Sequence, residues 1–90
     1  MDNKSEKLIL NLDKLHTTKM GVERIKKNVN LDSLFEHDDV VKWCIENIKD
    51  KNSYIYLKGK NWYVEIDEYK ITVNSYSYTI ITAHKILKSL

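Results

Sequence analysis

Apolar residues follow two different periods along this chain, and the change falls near Asn52. Before it, apolar positions recur every three or four residues, as on one face of a helix. Residues 4–12 read as a short helix with Leu8, Ile9 and Leu12 on one stripe. The Leu15-His16-Thr17-Thr18 segment breaks it, because adjacent threonines prefer a cap to a helix interior. A second helix is predicted from about 18 to 28, with Val22, Ile25 and Val29 facing the core. Gly21 inside it lowers helix propensity and predicts a close packing approach; Asn28 and Asn30 are good terminators. Leu31, Leu34 and Phe35 predict a connecting turn of helix. Asp38 or Asp39 is expected to cap a third helix running to about Lys49, with Val41, Cys44, Ile45 and Ile48 as its buried stripe.

After Asn52 apolar residues alternate with polar ones, as in half-buried strands. Four strands are predicted, at 53–58, 62–67, 69–74 and 78–83. Gly59-Lys60-Asn61 supplies the first turn. In the second strand Trp62, Val64 and Ile66 share one face, and Tyr63, Glu65 and Asp67 the other. Ile71 and Val73 point inward from the third. The fourth is apolar on both faces, which predicts a central or helix-covered position with Ile80 and Ile81 both buried. A last half-turn of helix is expected from His84 to Leu90. The short links favour an antiparallel meander. The expected fold class is therefore α+β: N-terminal helices, about residues 4–49, packed on a C-terminal antiparallel sheet of three to four strands, about 53–84, in a single domain spanning 1–90.

Composition narrows the chemistry more than it identifies it. Proline is absent, and Gly21 and Gly59 are the only glycines, so no glycine-rich phosphate loop exists. Cys44 is the only cysteine, which excludes an intramolecular disulfide and places a small hydrophobe on a core face. No signal-peptide pattern opens the chain, and no run approaches the roughly 18 apolar residues of a membrane span, so a cytoplasmic protein without membrane contact is expected. Histidines 16, 37 and 84 lack metal-ligand spacing, and neither a metal nor another cofactor is implied. His37 beside Asp38 and Asp39 reads as part of a helix-cap cluster.

The net charge is only +2, but it is unevenly distributed. Residues 14–28 carry Lys14, Lys19, Arg24, Lys26 and Lys27 against Glu23, whereas 32–39 carry Asp32, Glu36, Asp38 and Asp39. A basic helix and a lysine-bearing sheet can converge on a polyanion; the plainer reading is a solvated surface. Six tyrosines and two tryptophans lie mainly in the sheet half. They read first as strand-forming packing residues, with a base-stacking platform as the alternative.

The chemistry left to such a chain is acid–base and electrostatic. Metal-free cleavage of RNA by its own 2′-hydroxyl needs a base, an acid and cations around the phosphorane. Histidine suits the proton roles and arginine the phosphate. Candidate catalytic residues are His16, His84, Arg24 and Thr82. Lys19, Lys27 and Lys60 are candidate substrate-binding residues. The specific expectation is that His16 and His84 flank one cleft containing Arg24 and Thr82.

The segments LHTTKMGVERIKKN at 15–28, GKNWYV at 59–64 and NSYSYTIITAHK at 74–85 resemble a family of short bacterial proteins described as a domain of unknown function. More remotely, a basic helix, another helix and a sheet ending in an "IITA-aromatic" strand resemble the barnase–EndoU–colicin–RelE-like ribonuclease fold group. That likeness implies a metal-independent RNA-cleaving or RNA-binding domain of toxin type. By it, His16, Lys19 and Arg24 match the helical basic residues, and Thr82 and His84 the polar residues ending the last strand. RNA is the expected partner, with a cognate protein inhibitor as a further one. The alternative is a noncatalytic interaction protein, antitoxin-like or an inhibitor encoded by a mobile element, that binds through its basic face.

Overall fold

The computed structural model describes residues 3–86. Helices α1 (Asn3–Ile9), α2 (Lys19–Asn28) and α3 (His37–Ile48), with a 3-10 turn at Leu12–Lys14, precede strands β1 (Tyr54–Lys58), β2 (Asn61–Ile66), β3 (Tyr69–Asn74) and β4 (Ile80–Lys85). The architecture is α+β, helices first and an antiparallel sheet after, as the change of period predicts.

Helix α1 stops at Ile9 and does not continue to residue 12. The Asn11 side chain donates to the Lys7 carbonyl at 2.7 Å, and the Asn11 amide to the Leu8 carbonyl, which turns the chain. Leu8 is fully buried, and Ser5 Oγ donates to the Ile55 carbonyl at 2.9 Å. That bond occupies a backbone acceptor of β1, an edge strand otherwise open to pairing.

Helix α2 is set by its own signals. Thr18 Oγ1 accepts from the Gly21 amide at 3.0 Å as N-cap, and Asn30 takes φ 60° just past the end. Val22, Ile25 and Val29 are buried as the spacing requires. Gly21 packs where a β-carbon would run into Thr17 Oγ1. Thr17 is itself buried and donates to the Ile80 carbonyl at 2.7 Å. Gly21→Ala therefore sets about 1 kcal/mol of gained helix propensity against overpacking of about 1–3 kcal/mol and the loss of that bond. Net destabilisation is the expected outcome, read as a lower urea midpoint with unchanged slope.

Helix α3 departs from expectation in detail. Its N-cap is Glu36, whose amide donates to Asp39 Oδ2 at 2.9 Å, so Asp39 completes a capping box from inside the helix and neither Asp38 nor Asp39 is the cap. The buried stripe is Val40, Cys44 and Ile48, with Val41 and Ile45 only half-buried. Cys44 and Ile48 are buried as the spacing requires, and Val40, four residues before Cys44, completes the stripe in place of Val41. The helical turn expected over 31–37 is instead a non-helical link with a tight turn up to Glu36, because the Leu34 amide donates to Asp32 Oδ1 and Lys26 Nζ donates to the Ser33 and Phe35 carbonyls; His37 already belongs to α3. These bonds offer the backbone an alternative to a helix.

The strands pair in the order β1-β2-β3-β4, all antiparallel. Turns close at Gly59 (φ 64°) and Asp67 (φ 53°). The strand carrying Ile80 is the fourth in order and so an edge strand, not a central one. Its apolar character reflects its cover: α2 packs on it, and His16 forms a parallel bridge with Thr79. A register shift beside Val73 leaves Ile81 half-buried while Ile80 is buried. His84 and Lys85 extend this strand where a helical half-turn was expected; residues 87–90 lie outside the described residues.

Ile55, Trp62, Val64, Ile66, Ile71, Val73, Ile80 and Ala83 are buried on the sheet face that the helices cover. The period-two rule sends their neighbours to the opposite face.

Candidate functional site

Strand register assembles that opposite face into rows. Tyr56, Tyr63, Thr72 and Thr82 lie side by side across all four strands, and Tyr54, Glu65, Lys70 and His84 form the adjacent row. The rings of Tyr54 and Tyr56 lie 5.4 Å apart, and those of Tyr56 and Tyr63 stack at 5.5 Å with an interplanar angle of 27°. Lys70 Nζ stands 5.3 Å from the centroid of Tyr63, a cation–π distance. The run Tyr54–Tyr56–Tyr63–Lys70 is thus continuous. Tyr54, at its end, is 64% exposed.

The charges on this face are mostly positive. Lys58, Lys70 and His84 lie on it, and Lys60 projects from the β1–β2 turn. Glu65 is the carboxylate among them, and it accepts from the Tyr56 hydroxyl at 2.9 Å. Asp67 and Glu68 occupy the β2–β3 turn at one end of the face. The Lys60 carbonyl accepts from both the amide and the hydroxyl of Ser75 at 2.8 Å, which ties the lysine-bearing turn to the β3–β4 loop.

Helix α2 extends the cationic surface past the β4 edge. Asn28 Nδ2 donates to Thr82 Oγ1 at 3.4 Å, a long bond that still fixes the end of α2 beside Thr82. Arg24 is exposed, four residues before Asn28 on the same stripe of the helix, and Lys27 is exposed beside it. Arg24, Lys27, Thr82 and His84 therefore border one region. Lys19, at the first position of α2, lies a helix length away from Asn28.

His16 does not join them. Its backbone pairs between Tyr78 and Ile80, before β4 begins, and His84 lies five residues farther along, about 16 Å at ~3.3 Å per residue. His16 lines a groove of ≈320 Å³ with Leu15, His37, Asp38, Val41, Lys42 and Ile45 on the helical side, whereas His84 follows the buried Ala83 onto the open sheet face. Both His16 nitrogens are engaged: Nδ1 lies 3.0 Å from the Lys14 carbonyl and so carries the proton, and Nε2 is 3.1 Å from the Thr79 hydroxyl. The two-histidine cleft is not formed, because β4 is an edge strand whose near end is claimed by the 15–17 segment. His37 Nε2 is 3.1 Å from the Thr17 carbonyl and ties α3 to that same segment, a tertiary role beyond the helix-cap cluster.

Among the described residues, no group of three or more histidine, cysteine, aspartate or glutamate side chains is arranged to hold a metal ion, and no helix is long and apolar enough to cross a membrane. Cys44 is fully buried, and burial pushes its thiol up to about 12. A thiol-specific reagent at pH 8 is accordingly expected to react slowly with the native protein and quickly once it is unfolded in denaturant.

A family described as protein of unknown function (DUF3781) matches residues 9–84, from the end of α1 to His84. The chain belongs to that family. No curated protein and no solved structure matches it. In this DUF3781 member the matched span includes every residue of the open-face rows and all of α2.

Sequence reasoning missed the tyrosine–lysine run as a unit. The signal was there in part, as tyrosines at 54 and 56 flanking the buried Ile55 and a third at 63 on the outward face of β2.

Proposed function

We propose that this protein is a noncatalytic binding module for single-stranded nucleic acid, RNA in the first instance, that holds its ligand on the open face of the sheet. One observation carries the reading: the continuous Tyr54–Tyr56–Tyr63–Lys70 run, with Tyr56 stacked on Tyr63 across the β1–β2 pair, on a face where lysines outnumber carboxylates. Bases stack on tyrosine without regard to sequence, and lysines along the path meet the phosphates. Thr82 and His84 in the same rows offer hydrogen bonds to a 2′-hydroxyl, the group that separates RNA from DNA. Arg24 and Lys27 continue the track beyond the β4 edge.

Cleavage is left out of the proposal. It needs two proton-transfer groups within hydrogen-bond reach of one phosphate, and the strand path sets His16 and His84 about 16 Å apart at ~3.3 Å per residue.

Salt dependence tests the reading. Labelled single-stranded RNA should bind with an affinity that falls as salt rises, and Lys70→Ala should flatten the log–log slope by about 0.7, one single-strand phosphate contact. Arg24→Ala should act in the same direction. Affinity indifferent to salt, or slopes unchanged in both variants, would remove the electrostatic half of the proposal. A DNA strand of the same sequence shows whether the 2′-hydroxyl is read.

A further inference from the structure

A second surface lies on the helical layer, away from the open sheet face. Asp39, Lys42, Trp43 and Glu46 occupy one stripe of α3, and with Phe35 they line a groove of ≈260 Å³. The groove has aromatic side chains in Phe35 and Trp43 and carboxylates in Asp39 and Glu46. The Trp43 ring is braced edge-on by Tyr69 at 5.1 Å, with an interplanar angle of 80°. The loop carrying Phe35 is held by Lys26 Nζ, which donates to the Phe35 carbonyl at 2.9 Å. Both aromatic residues are thus positioned before any ligand arrives.

We infer that this groove receives an arginine side chain from a basic segment of a partner protein. The chemistry selects the occupant. Asp39 and Glu46, backed by Asp38 and Glu36 at the start of α3, repel an anion, so the groove does not continue the nucleic-acid surface. An uncharged apolar ligand leaves the carboxylates unused. A guanidinium uses both features, lying flat on the indole while its planar fork meets a carboxylate. Glu46 is available for this. Its partner Lys49, at 3.1 Å, forms an i,i+3 pair whose side chains are 52% and 59% exposed, a contact of little energy that an incoming arginine can replace. Asp39 Oδ2 accepts from the Glu36 amide and stays in the capping box, leaving its other oxygen to the ligand. Lys42 is the one cation in the lining; it is exposed and also borders the His16–His37 groove, toward which its flexible stem can turn. Leu34, beside Phe35 in sequence and 83% exposed, gives the partner an apolar contact next to the groove. This inference does not depend on the nucleic-acid reading.

The test is a titration of the full chain with a short basic peptide containing one arginine, and with the same peptide carrying citrulline there, followed by nitrogen–proton correlation NMR. Citrulline keeps the shape and removes the charge. The arginine peptide should shift the indole N–H of Trp43, and citrulline should weaken binding at least about fivefold. Glu46→Gln, a surface change that leaves the fold intact, should weaken the arginine peptide by a similar factor. Trp43→Leu should abolish the peptide-induced shifts of the α3 backbone amides, with the rest of the spectral fingerprint reporting whether the fold survives. Equal binding of the two peptides, full affinity in Glu46→Gln, or no shift of the Trp43 indole at millimolar peptide would each overturn the inference.

Discussion

Replacing Tyr54 or Tyr63 with alanine is expected to weaken binding of single-stranded RNA by about 1–3 kcal/mol each, roughly 5- to 150-fold. The two are expected to differ in side effects. Tyr54 is largely exposed on an edge strand, so its loss removes a stacking surface and little else. Tyr63 is half-buried between Tyr56 and Lys70, and its loss also frees both neighbours. Their contributions should be less than additive, because one run of rings serves both. Tyr76 provides the control. It is 78% exposed but sits in the β3–β4 loop off the rows, and Tyr76→Ala should leave RNA affinity unchanged. Fluorescence anisotropy at fixed salt measures all three.

Trp62→Ala is expected to cost about 3–5 kcal/mol of stability. Trp62 is 2% exposed, belongs to the central core cluster and packs on Tyr78 at 5.4 Å between ring centroids. It sits on β2, an interior strand, where its side chain lies under the helical layer. No neighbour can collapse into a space that large without moving a strand. Against a typical total of about 5–15 kcal/mol, the variant should show a much lower urea midpoint and partial unfolding at 37 °C. Loss of RNA binding in this variant would report unfolding, not a missing contact, since Trp62 faces away from the proposed ligand.

How much of this was legible in the sequence follows from the range of the forces involved. The helix over 19–28 was readable because Val22, Ile25 and Val29 recur on one face and Thr18 and Asn30 act within a turn of themselves. The second strand was readable because Trp62, Val64 and Ile66 alternate without interruption. Strand order was not, since β4 looks central in composition yet owes its apolar residues to α2 and to the bridge at His16, both remote in sequence. The same limit explains the site. Thr82 and His84 share one strand, and Arg24 lies on the helix whose end meets Thr82 through Asn28, so their placement follows from local order. His16 was grouped with them on the assumption of a central last strand, and the edge position of β4 separates them. The tyrosine run needs the register of β1 against β2, which places Tyr56 beside Tyr63. No local rule supplies that pairing. In α3 the sequence showed Cys44 and Ile48, while the choice of Val40 over its equally apolar neighbour Val41 depends on how the helix packs on the sheet.

The central claim is that the open sheet face is where single-stranded nucleic acid binds. Titrating a short unstructured RNA into isotope-labelled protein and mapping the amide shifts tests it most directly. The account predicts the largest shifts at Tyr54, Tyr56, Tyr63, Lys70, Thr82 and His84, with smaller ones at Arg24 and Lys27 and none along Asp39–Glu46. Shifts confined to the His16–His37 groove or to α3, or no shifts at all at low salt, would contradict it.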